Sequence, residues 1–257
     1  MSMNSVQRGK EPSFKAVLLW LILGGGILSA TGALAQDLVI PDVSYPSLPK
    51  KAASADGFVP SGWVLEAQAS GDLNQDGVDD LALVIRQNDP ANVLRDIEGL
   101  SEDPFDTNPR IIAVAFRVQS GGDYALQFEN HTLIPRRTNS SAEDPFDKDD
   151  GIAVARGAVK VRLRWFMSAG GWETFTVVYT FRHKSGMFEL IGYDRDELHR
   201  GSGATKAVSI NYLTRKLEVT TGSIEHNAMK VRRKSLPQRP ALTIDDIGDG
   251  LEFDPGR

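Results

Sequence analysis

Apolar and polar residues alternate along most of the chain after Trp63, and this pattern predicts antiparallel β-strands. It is clearest in residues 158–165, "AVKVRLRW", and in residues 174–182, "TFTVVYTFR". The apolar positions are Val159, Val161, Leu163 and Trp165 in the first segment and Phe175, Val177, Tyr179 and Phe181 in the second. A period of two is typical of strands that have one face in the core and the other in water.

Turn residues interrupt this pattern and predict hairpins. "SGGD" (120–123) and "KSG" (184–186) each separate two apolar segments. Further strands are predicted at about 63–70, 80–87 and 206–221, the last interrupted near Thr214. Helix is predicted only at "ANVLRDIEGL" (91–100), for two turns, and at "RDELHR" (195–200), for one. The predicted fold is mostly β, with antiparallel sheets in a sandwich or an incomplete propeller and little helix.

A short repeat bears on the choice between these architectures. "EDPFD" occurs at 102–106 and at 143–147, and an "IAVA" segment follows each copy. A duplicated unit of about four strands would have the size of a propeller blade. The alternative is two similar acidic turns before strands, which we favour because only the five-residue match is identical.

The first residues of the chain predict export. Three basic residues precede a long apolar segment that ends in Ala33-Leu34-Ala35, the spacing that signal peptidase recognises. We therefore predict a signal peptide over residues 1–35, cleaved after Ala35, and a periplasmic or secreted protein without a membrane span after cleavage. The alternative is an uncleaved membrane anchor, because the apolar segment approaches the ~20 residues that cross a bilayer.

Composition divides the remaining chain into three regions. Residues 36–60 are rich in proline and predict a tether, residues 61–236 predict the β domain, and residues 237–257 predict a tail. The chain has no cysteine, so disulfides cannot stabilise it. Its net charge of −5 argues against nucleic acid or an anionic membrane as the main partner.

One loop concentrates groups that bind hard cations. The segment "GDLNQDGVDDLALVI" (71–85) places oxygen-bearing side chains at alternate positions just before an apolar strand. The candidate ligands are the side chains of Asp72, Asn74, Asp76 and Asp80 and the carbonyl of Val78. Calcium takes about six to eight oxygen ligands, and Gly77 allows the sharp turn between them. Leu83 stands where an EF-hand needs glutamate, so the loop is not an EF-hand.

The pattern "DxNxDGxxD" between strands resembles the calcium loops of FG-GAP and VCBS repeat proteins. As a motif the resemblance covers about residues 62–86, and as a four-stranded unit it would extend to about residue 134. It implies a loop within a β-hairpin, with the five residues above as ligands and calcium as a structural ion. The alternative is a solvated, metal-free turn rich in aspartate and glycine. The loop holds four carboxylates close together, those of Asp72, Asp76, Asp79 and Asp80. They favour a bound cation, because like charges oppose one another's ionisation.

Other polar clusters have simpler interpretations. The acidic segments 143–150 and 245–254 are candidates for further ion sites, although charge runs of this kind are usually solvated loops. "KVRRK" (230–234) is suited to an anionic polymer or to a solvated surface strand. "GGW" (170–172) follows the pattern of an exposed turn and is a candidate recognition feature.

No catalytic residue is predicted. The chain lacks cysteine, a G-x-S-x-G motif and an H-E-x-x-H motif. A carboxylate–histidine site around His199 is the alternative to a solvated turn there. We therefore predict an exported, non-enzymatic, calcium-stabilised β domain that binds an unidentified protein or glycan of the cell envelope. The alternatives are a hydrolase of envelope polymers that uses Asp194 and Glu197, and an inhibitor or immunity protein.

Overall fold

The structure is a computed structural model that describes residues 38–95, 102–119 and 121–256. The predicted signal peptide lies outside these ranges, and within them no helix has the length and apolarity needed to cross a membrane. The strands are β1 (Lys51–Ala52), β2 (Trp63–Gly71), β3 (Asp80–Gln87), β4 (Val93–Leu94), β5 (Phe105–Asp106), β6 (Arg110–Arg117), β7 (Tyr124–Asn130), β8 (Ile152–Ala155), β9 (Ala158–Trp165), β10 (Glu173–Lys184), β11 (Met187–His199), β12 (Ala204–Asn211), β13 (Lys216–Ser223) and β14 (His226–Ser235). Short 3₁₀ turns occur at Ala55–Phe58, Pro90–Asn92 and Ile244–Asp246.

The strands form two large antiparallel sheets, which confirms the predicted mostly β fold. One sheet has five strands in the order β1-β7-β6-β3-β2. The other has seven, running in sequence from β8 to β14, and it curls into a half-barrel. Short connections join its neighbouring strands, as expected for antiparallel pairs. β4 and β5 form a separate ribbon of two strands.

One hydrophobic core lies between the two sheets. Val84 and Ile112 of the smaller sheet belong to the same buried cluster as Val161 and Tyr179 of the half-barrel. The opposite face of the smaller sheet carries a second cluster, which includes Leu83. β3 and β6 are thus buried on both faces, so their sequences are continuously apolar rather than alternating.

The segment that covers the second cluster is part of the predicted tether. Within residues 36–60, the side chains of Leu48, Ala55 and Phe58 are buried in that cluster, and β1 pairs with β7. The structure therefore differs from the tether prediction from Leu48 onward. These apolar residues have no regular period, because they lie on a 3₁₀ turn and an irregular segment that pack against a sheet.

The predicted tail also packs against the sheets. Ile244 and Ile247 are buried in the main core. The hydroxyl group of Tyr179 donates a hydrogen bond of 2.6 Å to the carbonyl of Gly250. Residues 244–250 therefore close part of the inner side of the half-barrel.

Both helix predictions are corrected. Residues 195–200 include the end of β11, which is paired with β10 on one side and β12 on the other. Hydrogen bonding along both edges of this strand outweighs a weak local preference for helix. In the range 91–100, the described residues form the end of a 3₁₀ turn followed by β4, and residues 96–100 lie outside the description.

The strand predictions are confirmed, but the two copies of the short repeat lie in different surroundings. The first "IAVA" segment, residues 112–115, is in β6 and fully covered. The second, residues 152–155, forms β8 at the edge of the half-barrel. The described sheets therefore share a core like a sandwich and do not repeat a four-stranded blade.

Candidate metal centre and other polar sites

The acidic loop joins the antiparallel strands β2 and β3, and Asp72 organises its backbone. One carboxylate oxygen of Asp72 accepts the N–H of Gln75 at 2.6 Å and that of Asp76 at 3.2 Å. The other accepts the N–H of Gly77 at 2.9 Å. Gln75 and Gly77 have φ angles of 68° and 85°, so the chain turns through left-handed conformations between the candidate ligands.

Asn74 and Asp76 lie in contact within this turn. Asn74 Oδ1 accepts the N–H of Asp76 at 2.9 Å, and Asn74 Nδ2 donates to Asp76 Oδ2 at 2.8 Å. Asp76 Oδ1 also accepts the N–H of Val78 at 2.8 Å. The structure therefore brings together three of the predicted ligand side chains around a single turn, with the carboxylate of Asp76 exposed to solvent.

Asp80 fixes the base of the loop. Its side chain has no solvent exposure. One of its oxygens accepts the N–H of Leu73 at 2.9 Å and the other the N–H of Arg117, at the end of β6, also at 2.9 Å. The pKa of this carboxyl is raised above its usual value, mainly because the group is buried. The hydrogen bonds from the backbone of Leu73 and Arg117 lower the pKa, and the negative charge of Asp76 raises it. The predicted ligand Asp80 is therefore also an anchor between the loop and the sheet.

The donor chemistry of the loop fits a hard cation. All candidate ligand atoms are oxygens, and a carboxylate has about four acceptor sites. The hydrogen bonds above occupy two sites on Asp76 and three on Asp72, which leaves acceptor capacity for an ion. In the loop geometry described, no three or more acidic, histidine or cysteine side chains converge as a metal cluster. Calcium binding therefore requires the exposed carboxylates to turn toward a common point.

The second acidic segment, residues 143–150, differs because arginines pair with three of its five carboxylates. Asp144 pairs with the buried Arg110 at 2.8 Å, and Asp150 pairs with Arg162 at 2.8 Å. Glu143 lies 3.4 Å from Arg164. For the acidic loop at 71–80, by contrast, no ion pair is found among the residues that the structure describes. The two segments look alike in sequence, yet three of the five carboxylates in the second have an arginine partner, whereas no carboxylate in the first has one among the described residues.

The third acidic segment, residues 245–254, uses its carboxylates within the fold. Asp246 accepts the N–H and the hydroxyl of Thr243, each at 2.7 Å, and these bonds lower its pKa. Asp245 accepts the side-chain amide of Asn130 at 3.0 Å. These side chains tie the C-terminal segment down and do not gather around one point.

Sequence reasoning missed a buried ion cluster around Arg110. The guanidinium group is 5% exposed and bonds both oxygens of Glu66, at 2.6 and 2.8 Å, and both oxygens of Asp144, at 2.9 and 2.8 Å. Arg86 also lies 3.3 Å from Glu66 and pairs with Asp106. The two carboxylates outweigh burial and raise the pKa of Arg110. The cluster links the smaller sheet to the loop before β8.

The polar residues near His199 do not form a paired-carboxylate site. Asp194 accepts the hydroxyl of Ser209 at 2.6 Å on one face of β11. Glu197, three residues along the strand, pairs with Arg195 at 2.6 Å on the other face. His199 Nδ1 accepts the backbone N–H of Ser202 at 3.1 Å and lies 2.9 Å from its hydroxyl, which is an exposed turn contact.

Trp172, in the predicted "GGW" feature, is 66% exposed. The carbonyl of Gly171 beside it accepts a 2.5 Å bond from Arg200, which also donates to Met167 at 2.7 Å. The turn is therefore held in place while its indole remains at the surface.

A large cavity among the described residues was not predicted from the sequence. It has a volume of about 1120 Å³ and lies between the ends of β11–β14 and the C-terminal segment. Leu217, Lys234 and Phe253 contribute to its walls, which are mainly apolar. The hydroxyl of Tyr212 is buried there without a hydrogen-bond partner among the described residues, and burial raises the pKa of Tyr212 to about 12.

Comparison with known proteins gives no relative for this chain. No protein family, curated protein or solved structure matches it.

Proposed function

We propose that this protein is an exported, non-enzymatic β domain that holds a structural calcium ion and binds a protein or glycan of the cell envelope. The proposed location is the periplasm or the extracellular space, because a leader with an Ala-x-Ala site precedes the folded region. The acidic loop carries the proposal. It is a hydrogen-bonded turn of oxygen donors between two strands, and none of its carboxylates forms an ion pair with a basic side chain among the described residues.

Five residues would hold the ion. Asp72, Asn74 and Asp76 would supply side-chain oxygens, Val78 its carbonyl, and Asp80 a carboxylate that already fixes the loop. Calcium would neutralise the mutual repulsion of these carboxylates. The resemblance of the loop to those of FG-GAP and VCBS repeat proteins supports the same assignment.

Binding is favoured over hydrolysis by the arrangement on β11. Asp194 and Glu197 face opposite sides of the sheet, so they cannot act together on one substrate bond. Mature protein incubated with purified envelope proteins and glycans is expected to retain a ligand and release no product. Product release that Asp194→Ala abolishes would instead support the hydrolase alternative.

Calcium is expected to raise the melting temperature of the mature protein. With a dissociation constant of about 10⁻⁴ M, calcium at about 1 mM would stabilise the fold by about 1.4 kcal/mol. This corresponds to a rise of roughly 3–5 °C for a domain of this size. Thermal unfolding followed by circular dichroism, in calcium and in chelator, measures the difference.

Two variants make this experiment specific. Asp76→Ala is expected to abolish the calcium-dependent rise, because it removes a central oxygen donor. Asp149→Ala is the matched control, since Asp149 is an exposed aspartate in the second acidic segment, and it should keep the full rise. A wild-type protein that melts at one temperature with and without calcium would contradict the metal assignment.

A further inference from the structure

We infer that the outer edge of β14 binds an acidic, extended peptide, which adds to the half-barrel as an eighth strand. This inference rests on the proposed binding function and names the surface and the class of partner. β14 is the last strand of its sheet, and no strand in the described parts of the chain pairs with its outer edge. An open strand edge offers N–H and C=O groups to an incoming strand.

The backbone groups that face outward can be assigned. The N–H of Leu236 donates to the carbonyl of Arg215 at 2.8 Å, so the backbone of Leu236 faces β13. Backbone direction alternates along an antiparallel strand. Arg232, four residues earlier, therefore also bonds to β13, whereas the backbone groups of Val231 and Arg233 point to the open edge.

The side chains of β14 give this edge a charge pattern with the period of a strand. Lys230, Arg232 and Lys234 lie opposite Thr221, Val219 and Leu217 of β13. Cross-strand partners share a face, and Leu217 packs against the main core, so the three basic residues lie on the inner face of the half-barrel. β14 contains no acidic residue, although the whole chain has a net charge of −5.

This pattern specifies an acidic partner strand. In a strand added to the open edge, the residues opposite Lys230, Arg232 and Lys234 would form the non-hydrogen-bonded pairs, whose side chains approach most closely. Carboxylates at every second position would each meet one cation. The partner should therefore carry aspartate or glutamate with a period of two.

The other face of β14 indicates which residues the partner strand should carry between its carboxylates. Met229 and Val231 are 71% and 44% exposed there. Arg233, on the same face, is paired with Glu218 at 2.6 Å and offers little unbalanced charge. Apolar or β-branched residues in the partner would cover this exposed apolar surface.

A second copy of the chain fits this edge poorly. Pairing β14 with β14 would place lysine and arginine side chains opposite one another, and like charges in cross-strand positions are destabilising. An anionic polymer would use the same charges but would not need the backbone groups of the edge. Blocking the outward backbone groups of β14 should therefore weaken binding of a peptide strand but not binding of an anionic polymer.

The test uses the full mature protein and a labelled peptide of about nine residues, in which glutamate alternates with valine or threonine. Fluorescence anisotropy measures binding. Val231→Pro removes an outward N–H without removing a bond to β13, and proline is tolerated at such edge positions. The combined variant Lys230→Ser, Arg232→Ser, Lys234→Ser removes the charges. Each is expected to weaken binding at least about tenfold.

Controls separate the expected result from general effects. Arg233→Ser removes a basic residue from the opposite face and should change affinity little. A peptide in which lysine replaces glutamate should not bind. Raising the salt concentration from about 50 mM to about 500 mM should weaken binding of the acidic peptide, because its ion pairs with the basic residues of β14 would be exposed to solvent. Circular dichroism checks that each variant remains folded.

Several results would overturn the inference. Absence of binding by the wild type, or binding that survives both Val231→Pro and alternate N-methylation of the peptide backbone, would exclude strand addition. N-methylation supplies this answer even if Val231→Pro fails to fold. If the protein binds anionic vesicles or polysaccharide and Val231→Pro leaves that binding unchanged, β14 acts as a charged surface and not as a strand edge. If an envelope ligand is retained but the peptide is not, the proposed binding function stands without this edge; if neither is retained, both are excluded.

Discussion

Replacing Arg110 with methionine is expected to lower the free energy of unfolding by about 3 kcal/mol. The guanidinium group is almost completely buried and bonds both oxygens of Glu66 and both oxygens of Asp144. Methionine keeps most of the apolar stem but leaves the carboxylate of Glu66, which is only 14% exposed, with Arg86 at 3.3 Å as its remaining cationic partner. We expect the melting temperature to fall by roughly 6–12 °C, as measured by thermal unfolding.

An exposed ion pair in the same protein provides the matched control. Arg162 and Asp150 are also 2.8 Å apart, but both side chains are half exposed. Arg162→Met should therefore cost about 0.5 kcal/mol or less. Adding Glu66→Gln to Arg110→Met should recover part of the loss, since an amide that has lost the Arg110 partner costs less to bury than a charged carboxylate that has lost it. Equal losses for Arg110→Met and Arg162→Met would show that the buried cluster contributes nothing special.

The strands were predictable because their period of two is a local property. Residues 158–165 form β9, and the predicted break near Thr214 separates β12 from β13. The burial of both faces of β3 could not be read in this way. It depends on residues such as Phe58, which lies on a 3₁₀ turn and is buried because that turn packs against the sheet.

The acidic loop was predictable for the same reason, because its aspartates and glycine are close in sequence. Its anchor was not. Asp80 bonds the backbone of Arg117, 37 residues away, and no residue type marks a backbone donor in a sequence. The cluster at Arg110 joins residues 44 and 34 positions away. A single sequence does not indicate which distant carboxylates an arginine will pair with.

Replacing Asp80 with alanine is expected to destabilise the protein by about 2–4 kcal/mol. The side chain is fully buried, and it is the acceptor for the backbone N–H groups of Leu73 and Arg117, both at 2.9 Å. Alanine would leave both N–H groups without this acceptor and would free the loop from the end of β6. Denaturant unfolding of the wild type and the variant measures the loss.

The neighbouring Asp79 distinguishes an anchor from a negative charge. Asp79 is exposed, so Asp79→Ala should change stability by about 0.5 kcal/mol or less. The loss in Asp80→Ala is expected in chelator as well as in calcium, because its two hydrogen bonds do not require an ion. A loss seen only in calcium would mean that Asp80 stabilises the loop as a ligand and not through Leu73 and Arg117. If Asp80→Ala is as stable as Asp79→Ala both in calcium and in chelator, Asp80 is neither an anchor nor a ligand.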